Sequence, residues 1–492
     1  MVFSKLFQSN LHFYLVVIFF LLNGYNRQEQ YISFAEIFLL FSILSVASTF
    51  LFFLFHWWFR SAKKAGIFTS LLTVFILFFG VLQDWLASSR ALAFLSEIIL
   101  LLLISGGVLV LILFFLSRTS SSLKNTSIFI SLLFSIYIVI ELVTLFSAPF
   151  DRKKQISDRE TKTKSEVPAN KPDIYLVLLD EYFGEEGLKR YFGFDNNEFL
   201  THLGSLGFHV VKNSRSNYES TVFSMASLLN MEYLEGSGPL SMSNQYRYSQ
   251  ALKLIGQNKV AEYLQKKGYD IINLSNFEIG GKPAAFSEGL LPSKIDYINS
   301  KTLYYRVSKR LPYFLAHHLG ISAFADNSNE SIHAVNQMLP QKALSVAASE
   351  PVKPVFTYVH LMMPHWPFLK NKKGEPITPE YKLKKYTEAQ RDQDYLQYFQ
   401  YTNGIIRKFI DQLVKKSGPD SIILLMSDHG YRRASWRGDV ELQFINLNAV
   451  KIPSIYENVW YDGVSNVNQF RLLFNSVFGE QLPILRDSLV IR

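Results

Sequence analysis

The 492-residue chain contains no cysteine, so it has neither disulfide bonds, nor thiolate metal ligands, nor a cysteine nucleophile. It also lacks a concentrated basic patch. The formal net charge is +9, but the lysine and arginine residues are scattered and form no nucleic-acid-binding motif. A basic protein beside an anionic membrane explains this charge better than a nucleic-acid partner does. Charged side chains are also scarce in one region, residues 1–149, which contains long apolar runs.

These apolar runs predict about five transmembrane helices, since a helix needs roughly 20 residues to cross a bilayer. The first run follows Lys5 and could also be the apolar core of a signal peptide. No small-residue cleavage motif follows it, so we expect an uncleaved anchor. Glu36, Asp84 and Glu97 lie near the ends of the runs, which favours anchoring over transport. The five predicted segments are 11–25, 32–56, 66–87, 93–117 and 127–148.

Basic residues in the loops between these segments predict the orientation of the chain, because cytoplasmic loops are richer in lysine and arginine. Five crossings from a cytoplasmic N-terminus place everything after residue 149 outside, whereas four or six crossings would change this assignment. We therefore expect a multi-pass protein of a bacterial-type inner or plasma membrane, with its second half on the periplasmic or extracellular side. The loops on the side that is richer in basic residues hold Lys5, Arg60, Lys63, Lys64, Arg118 and Lys124, and the loops on the other side hold Arg27 and Arg90.

The second half of the chain is typical of a soluble domain that follows a linker. Residues 150–171 are polar, charged and nearly free of large apolar groups, which is typical of a linker. Residues 172–492 contain short apolar runs and amphipathic stretches such as 389–416. We predict a transmembrane helical domain over 1–149, this linker, and a second domain over 172–492.

Three apolar runs of the second half end directly at polar residues. Continuous apolar runs of this length are typical of strands buried on both faces of a parallel sheet. The sites of such sheets lie at the carboxyl ends of the strands. We therefore predict an α/β domain with a mostly parallel central sheet and a site at that edge. The runs are Ile174–Leu179 before Asp180, Val355–Val359 before His360 and the later His365, and Ile422–Met426 before Ser427, Asp428, His429 and Gly430.

The adjacent pair Asp428 and His429 is the strongest candidate for a metal site. A carboxylate beside an imidazole suits Zn²⁺, Mn²⁺ or another divalent ion. Taken singly, Asp180 could be a turn residue and His365 an ordered loop histidine. The convergence of three strand ends counts for more than any single residue, so we predict a divalent metal site at this edge.

A hydroxyl nucleophile is suggested by the segment Asn217–Ser224, which leads into an apolar, helix-compatible stretch through Leu229. Thr221 would lie at or near the N-terminus of that helix, and one interpretation is that it only caps the helix. The other interpretation is functional, since the free amides and the dipole of a helix N-terminus favour an anionic phosphate. A bound metal would also lower the pKa of the hydroxyl.

These residues resemble those of the alkaline phosphatase and sulfatase superfamily over residues 171–480. The chain is most similar to the membrane-bound, sulfatase-like branch, which includes lipoteichoic acid synthases and phosphoethanolamine transferases. Four motifs in the same order are specific for the superfamily, but they do not specify a substrate. They are an Asp after the first strand (Asp180), Tyr-x-x-Thr-x-x-Ser (Tyr218–Ser224), Pro-His-x-Pro (Pro364–Pro367) and Ser-Asp-His-Gly (Ser427–Gly430).

The resemblance implies an alkaline phosphatase-like fold and a role for each motif residue. It implies one divalent metal ion (Zn²⁺, Mn²⁺, Mg²⁺ or Ca²⁺), with Thr221 as both nucleophile and metal ligand. Glu181 is an alternative to Asp180 as the metal ligand. We favour Asp180 because the first apolar run ends directly at this residue. The implied metal ligands are Asp180, Thr221, Asp428 and His429. The implied contacts to the phosphate or leaving group are His360, His365, Arg432 and Arg433, with His365 also as general acid or base.

Two departures from the superfamily narrow the implied chemistry. Classical sulfatases convert the first residue of Cys/Ser-x-Pro-x-Arg to formylglycine, and Thr221–Met225 is not this motif. Two-metal phosphatases need more histidine ligands, and no histidine follows His429. The departures thus argue against formylglycine chemistry and a two-metal site. The resemblance to the membrane-bound branch then implies a phosphotransferase that moves a phospho-alcohol headgroup, such as phosphoethanolamine or phosphoglycerol, from a lipid donor to a surface glycan or lipid through a phospho-threonine. The alternatives are a hydrolase of phosphate or sulfate esters and a non-catalytic domain that binds glycan or lipid.

Overall fold

The computed structural model describes most of the chain as two compact units. The first unit holds the described residues between 10 and 147 and between 296 and 308, and the second holds the other described residues. The predicted linker lies outside the described residues except for Lys171. The described ranges are 10–28, 34–88, 92–147, 171–234, 244–286, 296–299, 301–308, 328–349, 351–377, 386–433, 438–456 and 458–491.

The first unit contains five apolar helices: α1 (His12–Gln28), α2 (Phe34–Phe59), α3 (Ala62–Ser88), α4 (Ile98–Arg118) and α5 (Lys124–Ser147). Within the described ranges, four helices, α2 to α5, are long and apolar enough to cross a membrane, whereas α1 has 17 residues. Val16, Val17 and Leu77 are buried between α1 and α3. Many other apolar side chains of α2, α4 and α5 are exposed, as a lipid-facing surface requires.

The second unit contains six strands: β1 (Ile174–Leu179), β2 (His209–Val210), β3 (Asp270–Leu274), β4 (Val355–Leu361), β5 (Ile422–Ser427) and β6 (Asn448–Lys451). They form one sheet in the order β2-β6-β5-β1-β4-β3. β1 pairs in parallel with β4 and β5, β3 pairs in parallel with β4, and β6 pairs antiparallel with β5 and β2. Every residue of β1, β4 and β5 is buried, which fits their apolar sequences. The predicted α/β domain with a mostly parallel sheet is confirmed.

The three strands that carry the predicted site residues end side by side. Leu179 of β1 pairs with Leu361 of β4 and with Ser427 of β5, so the residues that follow these positions meet at one edge of the sheet. One predicted boundary was wrong. β4 does not stop at Val359 but continues to Leu361, because its ladder with β1 extends that far, and His360 is therefore a buried strand residue.

The longest helix of the second unit illustrates how local sequence sets a boundary. It begins at a capping box in which Thr387 and Gln390 bond reciprocally, and it buries Tyr395 and Phe399 in the core of the unit. The amphipathic pattern over 389–416 predicted this helix to within a residue at each end. The helices that follow α5 are α6 (Glu185–Phe192), α7 (Asn197–Ser205), α8 (Thr221–Asn230), α9 (Asn244–Gly256), α10 (Lys259–Lys266), α11 (Asp296–Asn299), α12 (Ser328–Ala347), α13 (Glu388–Ser417) and α14 (Gln469–Phe478).

Helix α11 and the helical residues 303–308 belong to the first unit, although the sequence placed them with the second domain. Lys301 and Arg306 donate to the carboxylate of Asp84, near the C-terminal end of α3, at 2.7 and 2.9 Å. Ile298 lies beside Gly24 of α1, where an added Cβ would be 2.9 Å from it. This segment therefore packs at the C-terminal ends of α1 and α3.

Candidate metal centre

The carboxyl ends of β1 and β5 bring Asp180, Asp428 and His429 together. One ligand atom from each of the three lies within 4.8 Å of the others. All three side chains are buried, with exposures of 2% for Asp180 and 0% for Asp428 and His429. Two buried carboxylates this close repel each other unless a cation or a proton lies between them. The cluster therefore has the composition and the burial of a cation site.

Backbone groups orient two of these side chains so that one atom of each stays free. Oδ1 of Asp428 accepts hydrogen bonds from the amides of Glu181, at 3.0 Å, and His429, at 2.9 Å. Its Oδ2 and Oδ1 of Asp180 are buried without a hydrogen-bond partner within the described part of the chain. Nδ1 of His429 donates to the carbonyl of Gly430 at 2.8 Å, so Nε2 carries the free lone pair. Two free carboxylate oxygens and an imidazole nitrogen fit a divalent metal ion, with the orienting bonds behind them.

The loop after β5 is held by groups that the sequence did not single out as functional. Ser224 donates to the carbonyl of Asp428 at 2.6 Å, and Asn466 donates to the same carbonyl at 3.2 Å. A Cβ at position 430 would lie 2.3 Å from the carbonyl oxygen of Ile445, so only glycine fits there. Ser224 was the last residue of the Tyr-x-x-Thr-x-x-Ser motif, and its helical spacing from Thr221 is the signal for its position on the same face.

Thr221 is the first residue of α8, and its hydroxyl points at the cluster. Oγ1 of Thr221 lies 3.3 Å from Nε2 of His429. The capping position is Ser220, which has extended backbone angles and makes no side-chain capping bond. The hydroxyl of Thr221 is therefore available to the cluster. Between the two interpretations of Thr221, the geometry favours the functional one.

The electrostatics of the two carboxylates differ. Burial raises the pKa of Asp180, but the nearby His365, His360 and His429 outweigh burial and hold that pKa below its ordinary value. Burial raises the pKa of Asp428, and the like charge of Asp180 adds to the shift, although His429 opposes it. Asp428 is thus the carboxylate of the pair that takes a proton first when no cation is present.

Glu181, His365 and Arg432 form a second polar group beside the cluster. Oε1 of Glu181 accepts from the backbone amide of Arg432 at 3.0 Å, and Oε2 lies 3.8 Å from Nε2 of His365. Nη2 of Arg432 donates to that same Nε2 at 2.8 Å, while Nδ1 of His365 bonds to the carbonyl of Trp366. Glu181 has a left-handed backbone, with φ of 61°, and it is not one of the three residues of the cluster. The alternative ligand thus faces the predicted phosphate contacts rather than the cluster.

The two other predicted phosphate contacts lie in different surroundings. Arg433 is half-buried and directly follows Arg432. His360 is fully buried within β4, with Nδ1 at 2.9 Å from the hydroxyl of Tyr358 and Nε2 at 3.5 Å from Oδ2 of Asp180. His360 therefore faces a candidate metal ligand from inside the sheet.

Three of the four candidate metal ligands lie in a stretch of the chain that matches a known protein family. A family model described as Sulfatase matches residues 196–449, which is more than half of the chain and includes Thr221, Asp428 and His429. This chain belongs to the sulfatase family. The family match confirms the resemblance to the sulfatase superfamily that the four motifs indicated. The match begins after Asp180, so the role of that residue rests on its geometry.

Several solved structures are similar to this sulfatase-family chain at low identity, and no curated protein sequence matches it. The C-terminal periplasmic domain of EcEptC from Escherichia coli, also solved in complex with Zn, is 11% identical, covers 63% of this chain and 82% of that chain, and has a TM-score of 0.36. A putative sulfatase from Bacteroides thetaiotaomicron is 12% identical, with coverages of 65% and 73% and a TM-score of 0.37. A protein of the alkaline phosphatase superfamily from Vibrio parahaemolyticus is 14% identical, with coverages of 64% and 71% and a TM-score of 0.36.

Proposed function

We propose that this sulfatase-family chain is a membrane-anchored, metal-dependent phosphotransferase. It moves a phospho-alcohol headgroup from a lipid donor to a surface glycan or lipid, and the headgroup is carried on Thr221 between the two half-reactions. The observation that carries the proposal is the position of the Thr221 hydroxyl, 3.3 Å from Nε2 of His429. That hydroxyl adjoins a buried cluster of two carboxylates and an imidazole at the N-terminus of a helix.

Asp180, Asp428 and His429 would hold one divalent ion, and Thr221 would complete its protein ligands. The mixed oxygen and imidazole set suits Zn²⁺ or Mn²⁺. Such an ion would lower the pKa of the Thr221 hydroxyl and offset the negative charge of the phosphoryl group. The amides at the start of α8 add to this, because a helix N-terminus favours an anion.

The proposed reaction has two balanced displacements at phosphorus. In the first, Oγ1 of Thr221 bonds to phosphorus, the bond from phosphorus to the lipid alcohol oxygen breaks, and the departing alcohol gains the proton that Thr221 loses. In the second, the oxygen of an acceptor hydroxyl bonds to phosphorus, the bond to Oγ1 breaks, and the proton that the acceptor loses returns to Oγ1 of Thr221. Each displacement is a nucleophilic substitution of the covalent-catalysis type.

His365 and Arg432 would act on the phosphate and the leaving group. The Arg432 guanidinium donates to Nε2 of His365 at 2.8 Å. A bound phosphate would draw Arg432 away, because a charge-assisted bond to an anion is stronger than one to a neutral ring. Nε2 of His365 would then be free to give or take the proton that the two displacements exchange.

The membrane unit supports a lipid donor and an outward-facing active site. We take α1, with 17 residues, as a fifth crossing beside the four helices that are long enough to cross a bilayer. The basic loop residues favour a cytoplasmic N-terminus, so five crossings place the chain after α5 outside. In that orientation the C-terminal ends of α1 and α3 are on the outer side. Lys301 and Arg306, from the second half of the chain, bind Asp84 at the end of α3, which agrees with the same side. We infer a multi-pass protein with its catalytic domain in the periplasm or outside the cell.

The test is mass spectrometry of the full-length protein after incubation with lipid extract and Mn²⁺ or Zn²⁺. A phospho-alcohol adduct on the peptide that contains Thr221, absent in Thr221→Ala, is the expected result, and its mass identifies the donor headgroup. Ser220→Ala is the matched control, because it removes the neighbouring hydroxyl and should leave the adduct in place. An unmodified peptide together with release of free headgroup to water would favour a hydrolase, and neither product would favour a binding domain.

A further inference from the structure

Tyr358 and His360 form a buried polar pair that the proposed reaction does not use. They lie two residues apart in β4, so their side chains project from the same face of the strand. Both are 0% exposed. The Tyr358 hydroxyl lies 2.9 Å from Nδ1 of His360, and Nε2 of His360 lies 3.5 Å from Oδ2 of Asp180. Polar groups in the centre of a sheet cost free energy unless they find partners, so the placement of their protons matters.

One arrangement of the protons gives each of these groups a partner. Within the described ranges, Nδ1 of His360 is the hydrogen-bond partner of the Tyr358 hydroxyl, and Nε2 has no hydrogen-bond partner. If Nδ1 donated to Tyr358, the phenol proton would reach no acceptor and the lone pair of Nε2 would face the Asp180 carboxylate. If Tyr358 donates to Nδ1 instead, the proton of His360 is on Nε2 and faces Oδ2 of Asp180. The second arrangement is therefore favoured.

Asp180 lacks the support that the other two candidate ligands have. Asp428 is oriented by two backbone amides and His429 by the Gly430 carbonyl. Across the described residues, no backbone amide donates to the side chain of Asp180, and His360 is the group that faces its Oδ2. The 3.5 Å separation is longer than a formed hydrogen bond. Such contacts shorten when the site takes up its ligand.

We infer that Tyr358 and His360 are positioning residues for Asp180. The Tyr358 hydroxyl sets the tautomer of His360, Nε2–H of His360 holds Oδ2, and Oδ1 of Asp180 is left for the metal ion. This inference rests on the metal site of the proposed function. It assigns His360 to the support of a ligand rather than to contact with the substrate phosphate.

The experiment measures Mn²⁺ affinity of the full-length protein in detergent, by equilibrium dialysis after treatment with a chelator. Tyr358→Phe keeps the ring and removes the hydroxyl, and Mn²⁺ binding should weaken by about 10- to 100-fold, the usual effect of losing support behind a ligand. Tyr175→Phe is the matched control. Tyr175 is fully buried in the neighbouring β1, its hydroxyl has no hydrogen-bond partner among the described residues, and this variant should bind like the wild type.

Substitutions of His360 add a test by rescue. The amide nitrogen of Gln can replace the Nε2–H donor, so His360→Gln should keep more Mn²⁺ affinity than His360→Leu. The thermal unfolding midpoint of each metal-free variant shows whether the fold is intact. Equal affinity of the wild type and Tyr358→Phe would overturn the inference, and so would equal losses in the two His360 variants.

Pulsed electron paramagnetic resonance of bound Mn²⁺, with isotope-labelled histidine, separates support from ligation. One histidine nitrogen, from His429, is expected in the wild type and in Tyr358→Phe. Two nitrogens in the wild type would make His360 a ligand and overturn the inference, as would a wild type that binds no Mn²⁺. If Mn²⁺ binds and depends on Tyr358 but the Thr221 peptide never carries an adduct, the proposed transferase activity fails and the positioning role stands.

Discussion

Oγ1 of Thr221 lies 3.3 Å from Nε2 of His429, although 208 positions separate the two residues in the sequence. Thr221 begins α8, and His429 follows β5. Because Nδ1 of His429 donates to Gly430, Nε2 is the nitrogen with a free lone pair. The candidate nucleophile therefore lies within contact distance of a candidate metal ligand. A helix capping role for Thr221 would not require this proximity.

Removing the hydroxyl while keeping the shape of residue 221 should abolish transfer. Thr221→Val is close to isosteric, and loss of the nucleophile should lower headgroup transfer by at least about 10³-fold. Thr221→Ser keeps an attacking oxygen and should retain most of the activity. Transfer from a labelled phospholipid measures both variants. If Thr221→Val kept wild-type transfer, the nucleophile would have to be another group.

Substitutions of Asp180 and Glu181 should have different effects on the affinity for Mn²⁺. Asp180→Asn removes a ligand charge from the cluster, whereas Glu181→Gln keeps an oxygen for the Arg432 amide and lies outside the cluster. Mn²⁺ affinity should fall at least about tenfold more in Asp180→Asn than in Glu181→Gln. Equilibrium dialysis measures both. The reverse order would make Glu181 the ligand and Asp180 its support.

Glu181→Gln should instead affect turnover. Glu181 is the carboxylate beside His365 and Arg432, and its charge contributes to their arrangement. Burial tends to lower the pKa of Arg432, but Glu181, with Asp180 and Asp428, outweighs burial and raises it. Loss of one of these charges should reduce kcat/KM for transfer by about tenfold while Mn²⁺ affinity stays near the wild-type value. A variant with unchanged kcat/KM would show that the pair is held by other contacts.

Acidification should release the metal through Asp428. Burial raises the pKa of Asp428, whereas that of Asp180 is held low by the nearby histidines despite burial. A carboxylate binds a cation only when it is ionised, so Mn²⁺ affinity is full above the raised pKa of Asp428 and falls as the pH drops through it. Dialysis across a pH series measures the slope. In Asp428→Asn the slope of Mn²⁺ affinity against pH should be smaller by about one proton per metal ion, because the proton that binds Asp428 no longer contributes. An unchanged slope would assign the pH dependence to His429.

The absence of cysteine makes the membrane orientation directly measurable. A membrane-impermeant maleimide should label Lys373→Cys, at an exposed position of the second unit, in intact cells. Ser122→Cys, exposed between α4 and α5, should be labelled only after permeabilisation, because that loop lies on the basic side. The wild type provides the unlabelled control. Labelling of Ser122→Cys alone in intact cells would reverse the orientation.

Local sequence determined much of the fold and most of the cluster. β1 was predicted at its observed bounds, because an apolar run of six residues that ends at a charge is a local signal. The amphipathic pattern over 389–416 likewise indicated α13, whose observed bounds are Glu388–Ser417. Asp428 and His429 could be predicted as a pair because they are adjacent and follow a strand.

Tertiary structure alone decided the roles of several other groups. β2 and β6 have two and four residues, which is too few for a periodic pattern. They form because β6 pairs with β5 and β2 pairs with β6. The sequence could not place α11 with the first unit, since that depends on the ion pairs of Asp84 with Lys301 and Arg306. His360 was predicted beyond the end of a strand and lies within it. Contacts of this kind depend on the packing of residues distant in sequence, whereas helix starts and strand ends depend on a few neighbours.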